Sequence, residues 1–348
     1  MLHSAGGARA STLRRRLRAW ARLRDWLLRV RGLVWPSGPA DVVDYLEDLL
    51  RGRCARTVPD TVLGALAFME EKGGVKDEDR CSTSSTLSSM VRNMNVTLAA
   101  GAPPTSKAPE LHVMACIAME FYVVDTDKKP YARVYAWTIL VRLWASLRSD
   151  DLMGVSPQNA RLLDSGLDMQ IDRTKTSGPG RKVRWLSAFV SAGANFGGNA
   201  SWLRIGFDLL KTESFNWDRD FLLPLPSEDL TGTVRKVPSY ADCAGMTRQL
   251  LRDLPRPEFK RGRWRRRDEK LFLPEAVTFY TEHSPRNVVP SLAAALEVPK
   301  DRRDFLGRWA PSQSDDYVRT QRAVVTQVQQ LVADAVRQGG ARVRMYGK

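Results

Sequence analysis

The chain has 348 residues, enough for one large domain or two ordinary ones, and its 43% hydrophobic content allows a sizeable core. Lysine and arginine number 54 against 39 aspartate and glutamate residues, a net charge of +15. This excess favours a polyanionic partner, nucleic acid first, although solubility or an arginine-rich genome would also produce it. No run of eighteen apolar residues occurs, so the sequence predicts no membrane span.

Residues 1–36 form a basic N-terminal arm whose apolar residues recur at helical spacing. The apolar stripe consists of Leu13, Leu17, Trp20, Leu27 and Val30, with arginines around it. The pattern leaves three interpretations open: an arm lying on DNA, an arginine-rich transit peptide, or a solvated helix.

A small helical domain is predicted over 38–101. The break Pro36-Ser-Gly-Pro39 precedes it, and Gly73-Gly74 ends the second of its helices. The helices are predicted at 41–51, 59–72 and 83–100, which makes a compact bundle. The proline-rich run 101–109 indicates an extended linker, and a second domain is predicted over 105–348.

The second domain is predicted to be mostly helical with a small antiparallel sheet, so the fold class is mainly α (α+β). Its helix at 131–147 is apolar nearly all round and should be buried. Two strands at 167–172 and 182–189 flank a turn containing Ser-Gly-Pro-Gly. The remaining elements are predicted at 110–124, 202–212 and 239–254 as helices and at 221–225 as a strand.

The predicted buried helix leads directly into Leu147-Arg148-Ser149-Asp150-Asp151-Leu152. An arginine that leaves a dry helix must meet a partner or line a cleft, because an unpaired buried charge is too costly. Taken alone, these residues are compatible with a structural pair between Arg148 and Asp151 at a helix end.

A basic run follows at 259–267, and its candidate DNA-contacting residues are Arg261, Arg263, Trp264, Arg265, Arg266 and Arg267. A tryptophan among arginines can stack on bases while the arginines contact phosphates. An exposed basic loop and a nuclear-import patch are the alternative interpretations.

The C-terminal part brings together residues suited to phosphoryl chemistry. Arg286 can direct two donors onto phosphate oxygens, and His283, three residues earlier, can transfer a proton near neutral pH. Gly307-Arg308-Trp309 follows, and Tyr317, eight residues after Trp309, can act as a nucleophile.

These motifs, in this order, resemble the active site of the tyrosine recombinases. That family has Arg-x-x-Glu-Leu, a lysine on a hairpin, His-x-x-Arg, then Gly followed by His or Trp, and a later Tyr. The matching residues are Arg148, Asp151 in place of Glu, Lys175, His283, Arg286, Trp309 and Tyr317. By its distance along the chain, Lys182 is an alternative to Lys175 as the hairpin lysine. Arg308 is an alternative to Trp309 for the position that the family gives to its second His or to Trp. The Gly-Arg-Trp motif resembles the one found in the recombinases of DIRS-like retrotransposons and cryptons.

The resemblance implies a DNA strand transferase that needs no metal or other cofactor and passes through a 3′-phosphotyrosyl intermediate. It gives the bundle at 38–101 the position of a core-binding domain that clasps DNA, and 105–348 that of the catalytic domain. It also implies double-stranded DNA as partner and a homo-tetramer on paired sites. A type IB topoisomerase-like enzyme and an inactive DNA-binding relic of a mobile element are the alternatives.

Two further expectations concern the surroundings of the protein and its last helix. The four cysteines and three histidines are scattered, so the sequence predicts no zinc site and an intracellular location, the nucleus if the host is eukaryotic. A valine-rich stripe follows Tyr317, formed by Val318, Val325, Val328, Leu331, Val332 and Val336. Either its own domain or a neighbouring protomer could bury this stripe.

Overall fold

The computed structural model describes residues 10–100, 108–174, 185–307 and 315–338; within them, the side chains of 10, 11, 307 and 315–321 are not described. Helices dominate and the sheets are small and antiparallel, which confirms the predicted mainly α (α+β) class. The chain divides into two compact units, Met1–Ser106 and Lys107–Lys348. Within the described ranges, no helix has the length and apolar character that crossing a membrane requires.

The first unit is a four-helix bundle. Its helices are α1 (Ala10–Arg31), α2 (Pro39–Arg51), α3 (Val58–Lys72) and α4 (Ser85–Ala100). Trp20, Leu23 and Leu27 of α1 lie in the bundle core with at most 7% of their surface exposed. The predicted separation of a basic arm at 1–36 from a domain at 38–101 therefore differs from the structure, because α1 supplies a wall of that domain.

The second unit surrounds a central helix, α6, with further helices and three small sheets. The helices are α5 (Val113–Val124), α6 (Pro130–Trp144), α7 (Ser149–Leu152), α8 (Trp202–Leu210), α9 (Tyr240–Asp253), α10 (Val288–Ala295), α11 (Lys300–Gly307) and α12 (Asp315–Gln338). As predicted, α6 is buried almost throughout. Gly206 lets α8 approach it closely, because a Cβ there would lie 2.1 Å from Cδ1 of Trp137.

Among the described residues of the second unit, each strand pairs with a neighbour in sequence. They are β1 (Ala160–Leu163), β2 (Gly166–Ile171), β3 (Leu186–Ser191), β4 (Leu225–Pro226), β5 (Thr233–Val234), β6 (Pro255–Lys260) and β7 (Arg263–Lys270). The sheet β1-β2-β3 is antiparallel, with Leu167 opposite Val190. Its β2 and β3 correspond to the two strands predicted on either side of the lysine-bearing loop.

The structure differs from the sequence prediction at one strand and adds a hairpin that the sequence did not predict. The strand expected at 221–225 is largely absent, since Arg219 donates to the carbonyls of Phe221 and Leu222 that a neighbouring strand would otherwise use. The basic run at 259–267, for which the sequence offered an exposed loop only as an alternative and predicted no strands, forms a hairpin of β6 and β7. Arg261 and Gly262 both have positive φ at its tip, as a two-residue hairpin turn requires.

Helix α12 is docked on its own unit. Val325, Val328, Val332 and Val336 are buried there, whereas Leu331 is 47% exposed. Gln329 is fully buried: its Nε2 donates to the carbonyls of Trp144 and Phe189, and its Oε1 accepts from Ser191 N at 2.8 Å. The valines therefore follow the first of the two expectations, burial by their own domain, and are not left for a neighbouring protomer.

Candidate active site

Arg148 is set in place by a sharp helix end. Helix α6 stops at Trp144 because Ser146 takes a positive φ of 50°. Leu147 N then donates to Arg142 O at 2.8 Å and Ser146 N to Leu143 O at 3.3 Å, the paired bonds of a Schellman motif. The chain turns directly into Arg148, which precedes the short helix α7.

Asp151 holds the backbone of Arg148 and lies close to its guanidinium. Its Oδ2 accepts the backbone N–H of Arg148 at 3.0 Å and lies 3.9 Å from the Arg148 guanidinium. The Asp151 side chain is 2% exposed and that of Arg148 is 38% exposed. The carboxylate thus caps α7 from inside, while the guanidinium reaches towards the surface.

His283 and Arg286 lie in a tight turn immediately before α10. Arg286 N donates to His283 O at 3.3 Å, and Ser284 Oγ accepts from Thr281 N at 3.1 Å. The His283 side chain is exposed, and Arg286 is partly buried. The turn therefore presents an accessible imidazole beside a guanidinium that is held against the protein.

The fold brings Arg148 and Arg286 together although 138 positions separate them in the sequence. Burial lowers the pKa of Arg286, the nearby Arg148 guanidinium lowers it further, and the Asp151 carboxylate opposes both effects. Two like charges at a partly dry surface repel each other, and an anion between them would relieve that repulsion. A phosphate bound beside both side chains would receive hydrogen bonds from two forked donors.

A buried ion pair, formed by Arg142 and Glu282, lies next to this site in the interior of the unit. Arg142 Nη1 contacts Glu282 Oε2 at 2.5 Å, and its Nη2 donates to the Glu282 carbonyl. Both side chains are at most 5% exposed. Ser149 Oγ donates to Glu282 Oε2 at 3.4 Å, and Thr247 donates to the other carboxylate oxygen. Glu282 thus joins α6, α9 and the residue that follows Arg148.

Sequence reasoning missed Arg142 and Glu282, although a signal was present. Arg142 is a charged residue inside a helix that the sequence already predicted to be buried. The rule that a buried charge needs a partner, applied to Arg148, applies equally to Arg142 and would have predicted a buried hydrogen-bond acceptor. That rule does not identify the partner, because Glu282 is 140 positions away.

The remaining predicted site residues lie outside the described part of the chain. Lys175, Arg308 and Trp309 fall in the gaps at 175–184 and 308–314. Tyr317 falls within the bounds of α12, but its side chain is among those not described. Five residues later, Arg322 pairs with Asp168 of β2 at 2.8 Å and its guanidinium lies 5.3 Å from the Phe189 ring.

The β6–β7 hairpin corrects one predicted contact. Trp264 is 8% exposed, its ring is 5.2 Å from that of Phe259, and it lies against Gly197 in the core. Its burial contradicts the predicted stacking on bases. Arg261, Arg263 and Arg265 are exposed, whereas Arg266 is paired with Asp125 and Arg267 with Glu258. Alternation along β7 turns Trp264 towards the core and places Arg263 and Arg265 on the opposite face.

The comparisons with known proteins do not assign this chain to a family. A search of protein-family models finds no match to the chain, and a search of curated proteins finds none either. The chemistry of the site is therefore argued from its own residues. Two converging guanidinium groups, a capping carboxylate and an exposed imidazole can bind a phosphate group and assist proton transfer at it.

Proposed function

We propose that this protein is a DNA strand transferase of the tyrosine recombinase type. The observation that carries the proposal is the proximity of Arg148 and Arg286, two partly exposed arginines, since the Arg148 charge lowers the pKa of Arg286. The residues His283 and Asp151 lie directly beside them in sequence and in the fold. The order of motifs through Tyr317 adds the nucleophile, by resemblance to that family.

The proposed reaction exchanges one phosphodiester for another. The Tyr317 hydroxyl oxygen attacks a DNA phosphorus, the bond from phosphorus to the 5′ oxygen breaks, and a 3′-phosphotyrosyl link forms. His283 assists removal of the tyrosine proton, whose unperturbed pKa is about 10. Lys175 delivers a proton to the leaving 5′ oxygen, and Trp309 donates its indole N–H to the phosphate. The reverse attack by a 5′ hydroxyl rejoins DNA.

In this mechanism the arginine pair stabilises the transition state. Negative charge grows on the two non-bridging phosphate oxygens as the phosphorus becomes five-coordinate. Donors held in place before the reaction need no reorganisation as that charge develops, and losing one typically costs about 100- to 1000-fold in rate. Asp151 keeps the Arg148 backbone in position through its 3.0 Å hydrogen bond.

Basic surfaces on both units support DNA as the partner. In the first unit, Arg14, Arg18 and Arg22 of α1 recur every four residues and line a groove. That spacing places them on one helix face, where each can reach a phosphate. In the second unit, Arg261, Arg263 and Arg265 extend from the hairpin. We propose double-stranded DNA as the substrate, and a homo-tetramer on paired sites because strand exchange requires four cuts.

We expect the hairpin arginines to contribute to DNA affinity by neutralising phosphates. The double variant Arg263→Gln/Arg265→Gln should reduce the slope of log K against log salt by about 0.9 for each phosphate that the protein no longer neutralises. The control Lys236→Gln/Arg252→Gln removes the same charge from other exposed positions of this unit. Fluorescence anisotropy with duplex DNA at several salt concentrations measures both. Equal slopes for the two double variants would show that the hairpin does not bind DNA in particular.

The function itself is tested by incubating the full chain with supercoiled plasmid DNA and stopping the reaction with SDS. We expect DNA ends joined to protein and, with two plasmid sites, joined products. Relaxation of the plasmid without joining would favour a topoisomerase-like enzyme. DNA binding with neither adduct nor relaxation would indicate a catalytically inactive DNA-binding protein.

A further inference from the structure

A buried ion pair and hydrogen bonds join the turn that carries His283 and Arg286 to the segment that carries Arg148. Glu282 immediately precedes His283, and its carboxylate and carbonyl are both bound by Arg142. Arg142 lies in the last turn of α6, the helix that leads into Arg148. Ser149, directly after Arg148, donates to the same carboxylate at 3.4 Å.

This attachment acts together with the Asp151 carboxylate, which offsets part of the repulsion between the two arginines. Arg148 and Arg286 carry like charges, and nothing in their mutual interaction favours proximity. A buried ion pair is a weak source of net stability, because desolvation of both charges offsets their attraction, and apolar side chains would fill the space as well. Its best-attested use is to fix one arrangement of two segments relative to each other.

We infer that Arg142 and Glu282 are positioning residues that hold the Arg286 turn in register with Arg148, so that both guanidinium groups meet one phosphate. The role as an aid to cleavage rests on the proposed function, whereas the geometric role does not. Glu282 is held from two further directions, by Thr247 of α9 and by Tyr135 of α6 at 3.5 Å. The carboxylate therefore has little freedom to shift.

A merely structural role can be separated from a positioning role by restoring stability without the ion pair. Single variants leave a buried charge without its partner and can fail to fold. The double variant Arg142→Met/Glu282→Leu removes both charges and retains similar volume. The exposed pair Lys300 and Asp304 of α11, 2.6 Å apart, provides the matched control Lys300→Met/Asp304→Leu.

Two measurements are made on full-length protein, with thermal unfolding to establish that each variant is folded. The first is the rate of phenylglyoxal labelling at Arg286, mapped by mass spectrometry and referred to exposed Arg252. We expect labelling several-fold faster in the Arg142→Met/Glu282→Leu protein and unchanged in the control. The second is formation of the SDS-stable adduct on plasmid DNA, which should fall about 100-fold, the cost of an ångström-scale misplacement.

The labelling result decides the inference whether or not the protein cleaves DNA. Unchanged labelling of Arg286 in a folded double variant would overturn it. Faster labelling together with wild-type adduct formation would establish the positioning of the turn and overturn its role in cleavage. If the wild-type protein forms no adduct, the proposed function fails, and faster labelling would still establish that the ion pair positions the arginine turn.

Discussion

Arg148→Ala and Arg286→Ala should each lower DNA cleavage by at least about 100-fold while the protein remains folded. Each substitution removes one of the two guanidinium groups that converge at the site. Neither side chain is fully buried, so little packing is lost. Removing Arg148 also takes away a charge that lowers the pKa of Arg286, which relieves repulsion in the free protein. The rate of adduct formation on plasmid DNA measures the effect.

Two comparison variants make this result specific. Arg286→Lys keeps a positive charge but loses the planar fork, so we expect it to recover only a small part of the activity. Arg252→Ala removes an exposed arginine of α9 and should leave the cleavage rate at the wild-type level. Wild-type cleavage by either Arg148→Ala or Arg286→Ala would show that the arginine concerned has a structural role.

Deleting the chain after Gln321 should abolish cooperative folding of the second unit. The deletion removes four buried valines, Val325, Val328, Val332 and Val336. Burial of each contributes about 1.5–3 kcal/mol, so the four together contribute about 6–12 kcal/mol, which is comparable with the roughly 5–15 kcal/mol free energy of unfolding of a whole domain. Circular dichroism and thermal unfolding measure the loss. A stripe buried by a neighbouring protomer would instead have made this deletion affect assembly alone.

A milder change separates packing from hydrogen bonding in α12. Gln329→Ala leaves the carbonyls of Trp144 and Phe189 and the N–H of Ser191 without their bonds to that side chain. We expect the free energy of unfolding to fall by about 1–3 kcal/mol for each buried group that stays unsatisfied.

For the deletion after Gln321, a chain ending at Gln338 retains all of α12 and serves as the control. A cooperative, wild-type-like transition after deletion at Gln321 would contradict the docking of this helix.

Local signals in the sequence predict most helices of this chain. They fail where a particular residue ends an element that the local pattern would continue. Gly73 ends α3 where a glycine stop is predicted. The sequence predicts the end of α6 three residues too late, because Ser146 adopts the positive φ usually taken by glycine. The strand expected at 221–225 fails for a related reason: the guanidinium of Arg219 satisfies backbone carbonyls there.

The hairpin of β6 and β7 escapes prediction because its sequence is dominated by charge. Along β7 only Trp264 is buried, so the apolar alternation that identifies a strand is almost absent. The local sequence signal for the hairpin is at its turn, where Gly262 follows Arg261. The same burial removes Trp264 from the predicted DNA contacts and leaves Arg263 and Arg265 on the outer face.

For the candidate site, motif spacing indicates which residues to consider, and only the fold shows how they meet. Arg148 and Arg286 are identified from residue order, and their proximity follows from long-range packing. The supporting pair of Arg142 and Glu282 joins positions 140 residues apart, a relation that no local period encodes. Long-range ion pairs of this kind need the tertiary structure before their partners can be assigned.

The most direct measurement is the identity of the residue that becomes bonded to DNA. Full-length protein is incubated with supercoiled plasmid, trapped with SDS and digested, and the peptide carrying a nucleotide is sequenced by mass spectrometry. We predict attachment at Tyr317 and a free 5′ hydroxyl on the DNA, and we predict that Tyr317→Phe binds DNA with unchanged affinity but forms no adduct. An adduct that persists in Tyr317→Phe, or that maps to another residue, would contradict the proposed mechanism.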